Sequence, residues 1–220
     1  MTPREQGALD LSADRARALA LTPVSRETLA RLDRFVDLLV RWQSKTNLVA
    51  SSTLPHLWTR HIADSLQLLE HAPKDARVWV DFGSGGGFPA IPIACALAER
   101  PDATVHMVES NTKKAAFLRE AVRATGVRAQ VHAERIEDYG ESYGDNVDVV
   151  SARALAPLKT LCDQAFPLIA RGAIGLFPKG QDVAAELTEA AKYWIIEAST
   201  EPSKTSREGC IVVVRGLKRR

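Results

Sequence analysis

Four glycines, Gly83, Gly85, Gly86 and Gly87, stand between an apolar run and a proline in Val78-Trp79-Val80-Asp81-Phe82-Gly83-Ser84-Gly85-Gly86-Gly87-Phe88-Pro89. Glycine lets the backbone turn sharply and lets a ligand approach without a Cβ in the way. At the carboxyl end of the first strand of an open α/β sheet, such a turn is a nucleotide-binding position. Alone the pattern is weak, because glycine-rich turns also occur without a ligand. Glu109 strengthens it, ending the next apolar stretch about 20–30 residues on, the interval that a βαβ unit imposes. A carboxylate there can accept hydrogen bonds from both hydroxyls of a ribose. Phe88 bears on the kind of ligand: a ring directly after the glycines would crowd a pyrophosphate but can line an adenosyl or thioether pocket. The set favours S-adenosylmethionine over a dinucleotide.

These residues need a sheet to hold them. The apolar, β-branched stretch before the glycines reads as a strand covered on both faces, and Pro89 suits the first turn of a helix, where no amide donor is required. From Arg77 onward strands are expected near 77–82, 103–109, 128–133, 147–152, 173–178, 193–198 and 210–215. Helices fit 89–100, 112–125, 157–170 and 181–192. The alternation predicts a doubly wound, mostly parallel sheet with helices on both faces. The last two strands are joined by a short polar loop, 200–209, which predicts a hairpin and an antiparallel final strand. Six parallel strands would suit a dehydrogenase; seven with a terminal hairpin match a Rossmann-like class I methyltransferase.

Residues 1–75 read as an N-terminal helical segment and 76–220 as the cofactor-binding domain, the two forming one compact unit. Leu29, Leu32, Phe35, Leu39 and Trp42 recur at spacings of three and four, one apolar stripe on a helix. Ser25 is placed to cap that helix, with Val24 and Leu29 as a hydrophobic staple. A second helix is expected after Pro55, and the loop 45–52 between them is polar enough for the surface. Trp42 and Trp58 read as core residues before they read as base-stacking platforms.

At 220 residues and 45% hydrophobic content the chain can bury one good core. No run reaches the roughly 18 apolar residues that span a bilayer, and Met1-Thr2-Pro3-Arg4-Glu5-Gln6 lacks a signal core, so the expectation is a cytoplasmic protein with no membrane contact. Cys95, Cys162 and Cys210 are odd in number and far apart, fitting neither a disulfide framework nor a zinc site, so no metal is expected. A net charge of +2 permits a nucleic-acid partner without requiring one. Lys113, Lys114, Arg119 and Arg123 recur near helical spacing, either as a solvated face or as a phosphate track.

Together these residues resemble the bacterial 16S ribosomal RNA guanine-N7 methyltransferases, also called glucose-inhibited division protein B. The resemblance covers roughly residues 35 to 180. It rests on Trp42-Gln43-Ser44-Lys45-Thr46-Asn47-Leu48, on Arg60-His61-Ile62-Ala63-Asp64-Ser65-Leu66, and on the glycine loop with its Gly-Phe-Pro ending. Glu109-Ser110, Lys113-Lys114, Phe117-Leu118, Arg135-Ile136-Glu137, Arg153-Ala154 and Lys179-Gly180 follow in the family's order. Ala90 replaces a usual glycine, Pro178 a usual aliphatic residue, and Ala152 is an extra residue before Arg153.

The resemblance implies S-adenosylmethionine as cofactor and N7 of guanine 527 of 16S ribosomal RNA as target, with the 30S subunit as partner; a monomer is expected, though the sequence does not fix the oligomeric state. It implies that Gly83, Gly85 and Phe88 contact the cofactor from the glycine loop. Glu109 would bind the ribose, Ser110 and Asn111 line its edge, and Ile136 and Glu137 flank the adenine. Arg153, by its fork geometry, suits the methionyl carboxylate. Guanine N7 has an in-plane lone pair and no hydrogen, so no general base is nominated. Arg60 and His61 either contact substrate or belong, with Asp64 and Ser65, to a network bracing the N-terminal segment; a His–Ser dyad is not supported. Lys179 either binds phosphate or is solvated, and Lys113 and Lys114 are open in the same way. A small-molecule methyltransferase and a non-catalytic RNA-binding assembly factor are the alternative functions, with a nicotinamide dehydrogenase more distant.

Overall fold

A computed structural model describes residues 10–143 and 146–220. The segment 1–6, read above for a signal core, lies outside the described residues. Seven strands form one sheet: β1 (Val78–Phe82), β2 (Thr104–Val108), β3 (Ala129–His132), β4 (Val149–Ala152), β5 (Ile174–Lys179), β6 (Trp194–Pro202) and β7 (Cys210–Arg219). Their order is β3-β2-β1-β4-β5-β7-β6. The pairs β2–β3, β1–β2, β1–β4 and β4–β5 are parallel, whereas β7 runs antiparallel to both β5 and β6. This is the expected doubly wound sheet with its antiparallel last strand. Order reverses between β1 and β4, and ligands of such sheets bind outside the carboxyl ends of the strands at that switch point.

The period of two along each strand divides the interior into two cores. Trp79, Val105, Met107, Val149 and Val213 face one side, against α2 (Arg26–Gln43), α4 (Ala90–Leu97) and α5 (Thr112–Thr125). Val80, Phe82, Val150, Phe177 and Val212 face the other, against α7 (Leu158–Ile169). Asp81 falls on the first side, fully buried in an otherwise apolar strand. α6 (Ile136–Ser142) and α8 (Val183–Ala190) complete the crossovers.

The N-terminal helices are part of the first core. Leu32, Phe35 and Leu39 of α2 are wholly buried, and Phe35 meets the Phe88 ring edge-on at 5.2 Å. Ser25 caps α2, its side chain accepting from the Thr28 N–H at 3.1 Å. Trp58 is buried and Trp42 packs on Phe117 with ring centres 5.5 Å apart, so both serve the core.

Residues 51–70 are not the single regular helix expected after Pro55. A 3-10 stretch (Ser51–His56) leads into a wide π turn (Trp58–Ala63), the one-turn α3 (Asp64–Leu66) and another 3-10 stretch (Gln67–Glu70). The start of the wide turn is capped from α1 (Ser12–Leu21): buried Asp14 accepts from the N–H groups of Trp58 (2.8 Å) and Thr59 (3.1 Å). The loop 45–52 is not wholly at the surface either. Leu48 and Val49 are buried, and Gln43 Oε1 accepts from both of their N–H groups.

Candidate functional site

Phe82, Val108 and Ala152 end adjacent parallel strands, and the loops leaving them converge. Gly85 adopts φ +52, a conformation that glycine enters without strain, and a Cβ there would meet only the Gly83 carbonyl at 3.6 Å. Gly86 serves a different purpose: its missing Cβ would fall 2.7 Å from the Leu48 carbonyl oxygen. The N-terminal segment therefore lies directly on the glycine loop.

Glu109 is 8% exposed. Its Oε2 accepts from the Gly85 N–H at 2.9 Å and its Oε1 from the Asn111 N–H at 2.7 Å. The carboxylate thus ties the end of β2 to the glycine loop and lines a cleft of about 370 Å³. Gly83, Ser110, Ile136, Glu137 and Arg153 line the same cleft, so the structure brings together most of the cofactor residues expected from sequence. Asn111 and Phe88 are the exceptions. The Asn111 side chain is engaged elsewhere: it caps α5, accepting from the N–H groups of Lys113 (3.0 Å) and Lys114 (3.1 Å). Glu137 is exposed in the first turn of α6 and accepts from Gln164 at 3.0 Å.

A second, wider cleft of about 820 Å³ adjoins the first and shares Gly83, Gly85, Lys114, Arg153, Ala154 and Leu155 with it. Phe88 belongs to this wider cleft and not to the narrower one. It is 4% exposed, with the His61 ring at 4.9 Å and the Arg153 guanidinium at 5.2 Å from its centre. Phe88 therefore meets the wider cleft beside His61 and Arg153, not the cleft that Glu109 lines.

Arg153 is held by the N-terminal segment. Its Nη1 donates to the Arg60 carbonyl at 3.1 Å and to Asp64 Oδ2 at 3.3 Å, and its Nη2 donates to His61 Nδ1 at 2.7 Å. Burial and the Arg153 and Arg60 cations push the His61 pKa down to about 3, so the ring is neutral at pH 7. Because a guanidinium only donates, Nδ1 must accept, which leaves Nε2–H to donate to Thr53 Oγ1 at 2.8 Å. Asp64 also accepts from Gln67 (2.9 Å) and Thr205 (2.5 Å), drawing the β6–β7 loop into the network. Ser65 donates to the His61 carbonyl at 2.6 Å. Among the sequence alternatives for Arg60, His61, Asp64 and Ser65, bracing is what these bonds perform. The Arg60 side chain itself remains exposed on the wider cleft.

Lys179 is not a solvated lysine. Its side chain is 9% exposed, and Nζ donates to the Ala156 carbonyl and to Glu186 Oε2, each at 2.7 Å. Glu186 Oε2 also accepts from the Leu158 N–H at 2.6 Å, so the pair anchors the loop after β4. Lys114, half-buried, lines both clefts, whereas Lys113 is exposed and lines neither.

Asp81, within the glycine motif, is tied to the neighbouring strand. Ser151 donates to its Oδ1 at 2.7 Å and takes a hydrogen bond from Trp79 Nε1 at 2.8 Å. Its Oδ2 is buried with no hydrogen-bond partner among the described residues. Burial pushes its pKa up to about 7, against the pull of the Ser151 hydrogen bond. A polar residue in an apolar strand was the available signal. Glu109, the open Gly85 backbone and Arg153 line one cleft, a set that fits a ligand carrying a ribose and a carboxylate. Among the described residues no three His, Cys, Asp or Glu side chains gather to hold a metal.

Comparison with known proteins agrees with this geometry. Residues 28–210 match the family described as rRNA small subunit methyltransferase G. A Bradyrhizobium protein named Ribosomal RNA small subunit methyltransferase G is 62% identical over 209 residues, covering 95% of this chain and 94% of its own. One of the same name from Nitrobacter hamburgensis is 59% identical over 99% of this chain and 84% of its own. An O-methyltransferase from Bacillus cereus, solved with SAH, superposes with a TM-score of 0.57 at 13% identity, over 93% of this chain and 97% of that one, a likeness of fold. With more than four-fifths of its length matched and relatives near 60% identity, the chain belongs to the rRNA small subunit methyltransferase G family.

Proposed function

We propose that this protein transfers a methyl group from S-adenosylmethionine to N7 of guanine 527 in 16S ribosomal RNA, acting as a monomer in the cytoplasm on RNA of the 30S subunit. The observation that carries this reading is the pair of adjoining clefts, the narrower floored by Glu109 and Gly85, in a chain matched by that family over residues 28–210. We assign the narrower cleft to the adenosine and the wider one to the target base. In that assignment Glu109 accepts from the ribose with Ser110 at its edge, Gly83 and Gly85 admit the ligand backbone, Ile136 and Glu137 flank the adenine, and Asn111 acts by capping α5 beside them. Arg153, which lines both clefts, offers positive charge to the carboxylate of the amino-acid end. Arg60, His61 and Lys179 serve the substrate side, Arg60 by phosphate contact and the other two by shaping the wall.

S-adenosylmethionine supplies an electrophilic methyl on a sulfonium sulfur. Guanine N7 attacks with its in-plane lone pair; the N–C bond forms as the C–S bond breaks, and the sulfur keeps the bonding pair. Positive charge passes from sulfur to the imidazole half of the base. No proton moves, so the protein needs no general base. Its contribution is to hold nucleophile, methyl and sulfur in line and to keep water out. The base must leave its stack to enter the cleft, at a cost of a few kcal/mol unless it already lies unpaired.

The test is transfer of labelled methyl to naked 16S RNA, to 30S particles and to a small-metabolite extract. Label on the ribosomal substrate is expected. Label confined to metabolites would favour the small-molecule reading, and cofactor binding without transfer would favour a non-catalytic assembly factor.

A further inference from the structure

We propose that Leu155 is the apolar guide that holds the target guanine against the methyl donor. It is one of four large hydrophobic side chains exposed among the described residues, at 37%, and of those four it alone lines the clefts. It lines both of them, at the seam where they meet. Its Cδ1 lies 2.6 Å from where a Cβ on Gly83 would stand, so Leu155 rests directly on the turn that floors the cofactor side. The inference depends on the assignment of the two clefts made above.

The backbone around it is fixed from both ends. Arg153 is tied to the N-terminal segment, while the Ala156 carbonyl and the Leu158 N–H are held by Lys179 and Glu186. Between these anchors Ala154 sits at φ +52, a left-handed conformation that strains a residue carrying a Cβ. A strained residue between two anchored neighbours, followed by an exposed leucine, is a device for aiming that leucine.

The chemistry explains an apolar residue at this point. N7 is a good hydrogen-bond acceptor, and a lone pair engaged by a donor or by water is a poor nucleophile. Arg153 and Lys114, which share the seam, are both donors. The Arg153 fork is taken up by the Arg60 carbonyl, His61 and Asp64. Leu155 has no donor to offer, displaces water, and presents a surface on which the face of a base can lie.

The experiment uses the full chain with Leu155→Ala, Leu155→Met and Glu109→Ala in parallel. Cofactor affinity is read by calorimetry with S-adenosylmethionine, folding by thermal melts, and kcat and KM by methyl transfer to the ribosomal substrate that the wild type modifies. Leu155→Ala is expected to melt like wild type, to keep cofactor Kd within about twofold and to lose kcat by about tenfold or more, as misplacement of reacting groups does. Leu155→Met is expected to recover most of that loss. Wild-type turnover in Leu155→Ala, or a loss of cofactor affinity that accounts for all of its lost turnover, overturns the inference. If Glu109→Ala leaves cofactor affinity unchanged, the cleft assignment itself fails and the inference falls with it.

Discussion

Glu109 joins two functions in one carboxylate, because both of its oxygens accept backbone N–H groups while it faces the narrower cleft. Glu109→Ala leaves the Gly85 and Asn111 N–H groups without these partners and is expected to cost about 1–3 kcal/mol of stability. It is also expected to weaken S-adenosylmethionine at least about tenfold, or 1.4 kcal/mol, as calorimetry would show. His61 makes a prediction in pH. Its folded pKa of about 3 lies below the 6.5 of a free imidazole, so the unfolded chain binds the extra proton first. The stabilisation is complete above pH 6.5 and is lost as pH falls toward 3, on the order of a few kcal/mol in all. His61→Asn, which keeps an acceptor for Arg153, is expected to flatten this acid limb in denaturant melts between pH 7 and 4. An unchanged limb would remove His61 as its cause. Glu109 was legible in the sequence because it ends an apolar run at a βαβ interval. The partners of Arg153 were not, since they lie 89 to 93 positions away and only the fold brings them together.

At the scale of elements, the loop after β4 owes its shape to Lys179 and Glu186. Removing one partner of a fully buried ion pair typically costs roughly 3–5 kcal/mol; with the Glu186 side chain 27% exposed, Lys179→Ala is expected to cost about 1–3 kcal/mol. We expect it to spare S-adenosylmethionine affinity and to reduce RNA methylation, measured by calorimetry and labelled transfer. Loss of cofactor affinity alone would move Lys179 out of the substrate side. The buried strands were readable because apolar β-branched runs bounded by turns have few alternatives. β6 and β7 extend further than expected, to Pro202 and Arg219, because their outer residues are polar and a hairpin reaching into water shows no apolar run. α6 is not legible in the sequence for a related reason: Ile136-Glu137-Asp138-Tyr139-Gly140 has no helical apolar stripe. The wide turn at Trp58–Ala63 follows from capping by Asp14, a partner 44 positions distant.

For the whole molecule, we propose that residues 1–75 and 76–220 form one cooperative unit. Leu32, Phe35 and Leu39 share a core with Trp79, Ile91 and Phe117, and Leu48 lies on the glycine loop. A chain of residues 76–220 alone would expose that core face and lose the bracing of Arg153. It is expected to be poorly soluble and to lack a cooperative melt; a soluble fragment with its own sharp transition would show two independent domains. No helix among the described residues is long and apolar enough to cross a membrane. The basic side chains at the clefts, Arg60 and Lys114, leave the route to the site open to an anionic polymer. Mapping N7-methylguanine across 16S ribosomal RNA from cells with and without this chain puts the proposed function to its plainest trial. The modification at guanine 527 is predicted to vanish with the chain, to return with the wild type, and to stay absent with Glu109→Ala. Full modification at that guanine in cells lacking the chain would contradict the proposal.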